Sequence, residues 1–517
     1  MKKFTTFAAL LAFSASSYAT DWPSTSGNAQ RDGWLRGEKT LSKESAAKIK
    51  YLYSFHLNNG PKGAYELTAP VVLSNIITYK GFKHLVFLGG TSNSVYGVDA
   101  DLGKLFFDTK LDHAAATAKG AGCSDAMTAS VAFAGNSLAP GRFGLPGVNH
   151  LGRVARDKNK RPGQPFSMSQ PVYAVTGDGY LHYVLQLSGH ANTVEPKKFL
   201  PPDAHATALN VDSGRVFAGT TGACNESANG VYAIDVAKGD VTSFLTGGRG
   251  PAGDGGTAIG TDGLVYAHIT SGHNDEAGDL AGAVVQLNPD TLKLEDYFTP
   301  TPEPGAAKPV PGPGTTPLLF GAKDGNKDWI VTGGADGRIY ILDADSPGGQ
   351  DHHTPAYRSE VLVKPGAGNG LWHDFATEVS EDGTRMLYAS IHGAPSADFP
   401  ATNGGAANGS ILAFKIAFHD GKPSLVPVWS SRDLEAPAAP IVANGLVFAL
   451  STGQPAGKAK TGKPARLYVL DGETGKELFV GDKATTYATG GLAVANSQIY
   501  FTTHDNALNA YGIPLER

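Results

Sequence analysis

The stretch Leu467-Tyr468-Val469-Leu470-Asp471-Gly472-Glu473-Thr474-Gly475-Lys476 joins a strand pattern to a turn pattern. Four apolar residues run into an Asp, and Gly475 closes a tight reversal four residues later. Apolar runs this short, punctuated by Asp and Gly, read as antiparallel strands. The phrase recurs: Val95-Tyr96-Gly97-Val98-Asp99 leads to Gly103, and Val231-Tyr232-Ala233-Ile234-Asp235 to Gly239. Ile339-Tyr340-Ile341-Leu342-Asp343 is a fourth copy, and looser ones lie at 284–294, 411–416 and 508–511. Further apolar strands precede the clearer copies, among them Val86-Phe87-Leu88, Val216-Phe217-Ala218 and Ile330-Val331-Thr332.

Each unit opens with a step of small residues into an apolar strand. Thr68-Ala69-Pro70-Val71, Thr128-Ala129-Ser130-Val131, Ala206-Thr207-Ala208-Leu209 and Gly256-Thr257-Ala258-Ile259 are the first four. Thr315-Thr316-Pro317-Leu318, Ala376-Thr377-Glu378-Val379, Ala438-Ala439-Pro440-Ile441 and Gly490-Gly491-Leu492-Ala493 complete eight. Small residues suit the innermost strands of a propeller, which crowd around its axis. The spacing predicts an all-β fold: a single eight-bladed β-propeller of four-stranded antiparallel blades. The last unit, from Tyr487, runs out of chain after three strands. The strand pattern from Ile49 to Leu57 supplies the fourth, so N- and C-terminal strands close the ring in one blade and remove exposed edges.

The composition agrees. The 517 residues include Gly 66 and Pro 32, with only 18% charged, which suits short strands and tight turns and excludes coiled coils. Lys+Arg 43 against Asp+Glu 48 gives a net charge of −5, so no nucleic-acid partner is expected. Lys2 and Lys3, an apolar run from Phe7 to Phe13, and Ser17-Tyr18-Ala19 read as a signal peptide over 1–19, cleaved after Ala19. Residues 20–517 then form the propeller domain, with an insertion at 136–169 and a Pro/Gly-rich connector at 299–313. The insertion carries Arg142, Arg153, Arg156, Lys158, Lys160 and Arg161. A solvated loop is one reading of it, and a docking loop for an acidic partner the other. The residue directly after the cleavage point is Thr20 and not a lipid-bearing Cys, and no segment is apolar enough to span a bilayer, so the expectation is a periplasmic or secreted monomer without a membrane anchor. Cys123 and Cys224 are the only cysteines. An oxidising compartment permits them to pair, contributing up to roughly 4–5 kcal/mol by loop closure; two buried thiols are the other reading.

The phrase from Tyr468 to Lys476, and more loosely Val98-Asp99-Ala100-Asp101-Leu102-Gly103-Lys104, resembles the repeat of the pyrroloquinoline-quinone (PQQ)-like propeller family. That family includes quinoprotein alcohol dehydrogenases and the propeller of the bacterial outer-membrane assembly machinery. Trp22-Pro23, Gly27-Asn28 and Arg31-Asp32-Gly33 resemble the start of such mature chains. The resemblance implies PQQ and calcium as cofactors. The sequence also departs from the family. Phe107 and Phe479 stand where the repeat usually ends in Trp, the adjacent Cys-Cys pair is missing, and there is no Cys-x-x-Cys-His for a haem.

In a propeller, the loops leading into the innermost strands gather at one mouth of the channel. Those loops carry Glu66, Asp125, His205, Asp254, Trp372-His373-Asp374 and Glu435. Carboxylates there suit a hard cation such as calcium, with Glu66, Asp125, Asp254, Asp374 and Glu435 as the metal candidates. Trp372, His373, Asp374 and His205 are the candidates for holding a cofactor or polar ligand. A water-filled funnel lined by polar groups is the alternative. Other ligand-rich runs are weaker: His273-Asn274-Asp275-Glu276 with Asp279 and Asp343-Ala344-Asp345 lack the calcium-loop pattern, and His352-His353 is an isolated pair. Gly248-Arg249-Gly250-Pro251-Ala252-Gly253 has no βαβ context, which rejects nucleotide binding. Two functions fit these observations. One is an exported module binding a protein or small molecule across one propeller face. The other is a PQQ- and calcium-dependent dehydrogenase of an alcohol or sugar, with Asp254 or Asp374 as base.

Overall fold

The computed structural model describes residues 21–60, 66–78, 81–115, 123, 125–135, 171–191, 193–222, 224, 226–301, 314–321, 327–363, 368–380, 382–396, 400–455 and 461–514. The expected signal peptide, the 136–169 insertion and 302–313 of the connector lie outside the described residues. Eight antiparallel blades form a ring. Blade 1 consists of Val71–Thr78, Gly81–Gly90, Ser94–Asp99 and Lys104–Lys110. Blade 2 consists of Pro171–Val175, Tyr180–Leu185 and Lys197–Lys198, its inner position held by a bridge from Ala132 to Tyr173. Blade 3 runs His205–Asp212, Arg215–Thr221, Gly230–Asp235 and Val241–Leu245; blade 4 runs Ala258–Ile259, Val265–Ile269, Ala283–Leu287 and Leu294–Phe298. Blade 5 is Leu318–Gly321, Asp328–Gly333, Ile339–Asp343 and Tyr357–Arg358; blade 6 is Ala376–Val379, Arg385–His392, Gly409–His419 and Lys422–Ser430. Blade 7 is Ile441–Ala443, Leu446–Ser451, Arg466–Asp471 and Glu477–Lys483. Blade 8 has Ala493–Ala495, Gln498–Thr503 and Ala507–Gly512, and its outermost strand is the N-terminal Lys50–His56 paired to Ala507–Gly512. The closure expected from the sequence is therefore present. Among the described residues, no helix is long and apolar enough to cross a membrane.

The recurring Asp-to-Gly turn has two jobs. Its Asp caps the turn: Asp99 accepts from the amides of Asp101 and Leu102, Asp235 from those of Ala237 and Lys238, and Asp471 from those of Glu473 and Thr474. Its Gly is a plate on which the preceding blade lands. Trp429, from the outer strand of blade 6, lies flat on Gly475 of blade 7 and donates its indole N–H to the Gly472 carbonyl at 2.9 Å. A Cβ on Gly475 would stand 2.6 Å from the Trp429 ring. Phe107 of blade 1 meets Gly189 of blade 2, and Tyr53 of blade 8 meets Gly103 of blade 1. Phe479 packs edge-on to Tyr511 of blade 8. Aromatic docking between blades is thus retained, with one true Trp among the plugs.

Cys123 and Cys224 form a disulfide, closing a sequence separation of 101 between the loops of blades 2 and 3. The ring's axis is filled by the chain itself. Residues 21–35 thread past the innermost strands and meet seven blades in order. Val72 exchanges hydrogen bonds with Trp22, and the amide of Phe133 donates to Pro23. The Asn210 side chain and the Ile259 amide donate to Ala29, Leu319 to Gln30, Thr377 to Asp32, and Val442 to Gly33. Trp34–Leu35 then adds a parallel strand inside blade 7.

Gly475 has φ +71° against a fixed indole, so side chains there are strained and crowded. We expect Gly475→Ala to cost about 2 kcal/mol or more, read as a lower urea midpoint at unchanged slope. An unchanged midpoint would contradict the docking role.

Candidate functional site

The floor of the mouth is set by Arg31. Its side chain is fully buried at the axis and donates to the carbonyls of Thr25 (2.5 Å), Thr257 (2.9 Å), Leu209 (3.1 Å) and Gly255 (3.2 Å). Burial lowers its pKa to about 10, with the Asp374 charge acting the other way, so it remains a cation at neutral pH. Asp374 is equally buried and accepts from Ser26 Oγ (2.8 Å) and the amides of Thr316 (3.0 Å), Asp254 (3.1 Å) and Gly255 (3.1 Å). Its pKa is raised by burial and by the neighbouring Asp254 charge. Asp374 is thus a clamp joining the axial segment to blades 4, 5 and 6.

Above this floor, Nδ1 of His373 lies 3.0 Å from Asp254 Oδ1 and 3.1 Å from Oδ2. Burial works against the His373 charge, but the Asp254 carboxylate outweighs it and holds the pKa above the ordinary imidazole value. Asp254 sits correspondingly below the usual carboxylate range, its burial outweighed by His373. The His392 ring is 5.3 Å from that of His373, and its Nε2 is 3.2 Å from the Pro437 carbonyl. Burial, reinforced by His373, pushes His392 down to about 4. Trp372, 39% exposed, lies 6.1 Å ring to ring from His392 and forms the open rim.

Of the residues expected at the mouth, Asp254, Trp372, His373 and Asp374 come together. Glu66 instead pairs with His504 at 2.9 Å, under a Tyr487–His504 stack at 4.5 Å. Glu435 forms an ion pair with Lys463. Asp125 uses its backbone carbonyl to accept from Asn93 at 2.6 Å, and His205 stands exposed where the innermost strand of blade 3 begins. The His273–Asp279 run folds as a small hairpin whose Asn274 and Asp279 cap their own turn amides. His352 stacks on Tyr297 at 4.1 Å, and Nδ1 of His353 meets the Thr299 carbonyl at 2.8 Å.

Three important residues were not anticipated: Arg31, His392 and His504. Strand register is the signal that finds His392. Tyr388 opposes Ala376, so four residues further the second strand of blade 6 returns to the mouth, where His392 bridges Gly370.

Calcium takes six to eight oxygen ligands. Here the Asp374 oxygens are met by four donors beside a buried guanidinium, and Asp254 is held by an imidazole. Among the described residues, no three His, Cys, Asp or Glu side chains gather around one point suited to a metal ion. These residues do not fit a calcium-held quinone.

No protein-family model matches the chain, and no curated protein matches it. Solved structures do. The chain is similar to the quinohemoprotein alcohol dehydrogenase ADHIIG from Pseudomonas putida HK5, at 14% identity and TM-score 0.58, over 96% of this chain and 81% of that one. It is similar to the quinohemoprotein alcohol dehydrogenase from Comamonas testosteroni at 13% identity and TM-score 0.57, over 96% and 81%. A europium-containing methanol dehydrogenase matches at 12% identity and TM-score 0.57, over 95% and 98%. The eight-bladed propeller of this chain is the architecture it has in common with these structures. At these identities the likeness is one of fold.

The His373–Asp254 pair makes stability pH-dependent. The raised His373 pKa contributes fully below the ordinary value of 6.5 and is lost as pH climbs through the folded value. The lowered Asp254 pKa contributes above 3.8 and is lost as pH falls through its own folded value. We therefore expect the Tm gap between the native protein and His373→Gln to be widest near pH 5 and to shrink by about pH 9. A gap constant over that range would contradict the pairing.

Proposed function

We propose that this chain is an exported, non-catalytic propeller that binds a protein or small polar ligand across its mouth face. The observation that carries this reading is the filled axis: residues 21–35 occupy the channel, and Arg31 and Asp374 form its closed floor. A quinone and its cation would need the carboxylate oxygens that Asp374 already commits to Ser26, Asp254, Gly255 and Thr316. The fold likeness to alcohol dehydrogenases favours the competing reading, a PQQ- and calcium-dependent dehydrogenase; the donor set counts against it. On the binding reading, exposed Trp372 is the apolar anchor of the rim, since aromatic side chains at the centre of a contact carry much of its energy. The disulfide supports a periplasmic or secreted setting, in line with a signal peptide cleaved after Ala19.

Titrating the purified protein with PQQ and calcium, while absorbance, Tm and dye-linked alcohol oxidation are followed, tests this. We expect no Tm rise at cofactor concentrations of about 100 μM, where a 1 μM complex would add roughly 2.7 kcal/mol. A saturable quinone complex with turnover would overturn the binding reading.

A further inference from the structure

The mouth holds two imidazoles in the arrangement that metal sites use, and nitrogen donors, not oxygens, are what it leaves available. Metal-bound histidines usually give their second ring N–H to a carboxylate or a backbone carbonyl, which fixes the tautomer and aims the other nitrogen. His373 directs Nδ1 at Asp254 (3.0 Å), and His392 directs Nε2 at the Pro437 carbonyl (3.2 Å). With each ring neutral, Nε2 of His373 and Nδ1 of His392 are the lone-pair nitrogens, and among the described residues no hydrogen bond engages either. With metal–nitrogen distances of about 2.0–2.1 Å, two imidazoles on one tetrahedral ion have ring centres about 5 Å apart. These rings are 5.3 Å apart and tilted by 45°.

We propose that His373 and His392 form an open site for a borderline divalent transition-metal ion of the Zn(II) or Cu(II) class, with solvent or a partner's donor completing the shell. Imidazole suits copper and zinc, whereas calcium prefers oxygen. Asp254 and the Pro437 carbonyl act one shell out, as positioning groups. The proposal rests on this local geometry and not on the binding-module reading. It does supply that module with a means of recognition, because an ion with open positions can take a ligand's imidazole or carboxylate.

The test uses the full mature chain and Cu(II) alone as probe, followed by calorimetry and by tryptophan fluorescence, since Trp372 stands 6.1 Å from the His392 ring. One equivalent should bind with quenching, and electron paramagnetic resonance should report two nitrogen ligands. His373→Gln and His392→Gln should each weaken binding at least about tenfold and reduce the nitrogen count to one. His353→Gln, remote from the mouth, should leave the affinity unchanged, and Trp372→Phe should lose the quenching while keeping the affinity. Matching circular dichroism and Tm of the metal-free variants keeps the comparison one between folded proteins. Native affinity and an unchanged nitrogen count in both mouth-histidine variants would overturn the proposal, as would a first equivalent abolished by His353→Gln.

Discussion

A guanidinium taken out of water must have its N–H groups met by oxygen, or its burial costs several kcal/mol. At the centre of this ring Arg31 meets carbonyls from its own segment and from blades 3 and 4, and Asp374 supplies the balancing charge. The oxygens arrive in register only when the inner strands of those blades stand in their native order. Asp374, at the entry to blade 6, ties Ser26 to the amides of Asp254 and Gly255 before blade 4 and of Thr316 before blade 5. Two buried charges, each met by its own set of partners, therefore link the N-terminal segment to four of the eight blades.

This constraint decides what the mouth can do. Because the axis is occupied, the polar residues around it form a floor and a rim instead of a channel. The carboxylates closest to the centre are spent: Asp374 on backbone and hydroxyl donors, Asp254 on His373. What remains open is imidazole nitrogen and the exposed face of Trp372. Oxygen-rich cation chemistry and this donor set are a poor match, whereas nitrogen ligation and apolar contact suit it.

The repeat was legible in sequence because its causes are local. An Asp that caps its own turn and a Gly that accepts the neighbouring blade's aromatic ring recur at fixed offsets, as at Asp471 and Gly475. The closing strand was legible because the last unit lacked one. The axial segment was not, since the partners of Arg31 lie 178 to 226 residues away, apart from Thr25. For the same reason position in the repeat groups Glu66 with Asp254, although the ring sets it beside His504 on blade 8. Position within a repeat gives the face on which a residue lies, while the blade gives the neighbour it meets there. Trp429 marks another limit: it opposes Ala413 as Phe107 opposes Gly97 and Phe479 opposes Val469, but the longer hairpin of blade 6, Gly409–His419 with Lys422–Ser430, carries it farther along the sequence than the repeat offset.

The central claim is that residues 21–35 are an integral inner layer of the ring. Hydrogen exchange of the amides of Ile259, Leu319, Thr377 and Val442 tests it most directly, because each donates to that segment. If the segment is part of the core, these amides exchange as slowly as those within the blade strands, through global unfolding. Exchange of all four on the timescale of exposed loops, with the blade strands still protected, would contradict it.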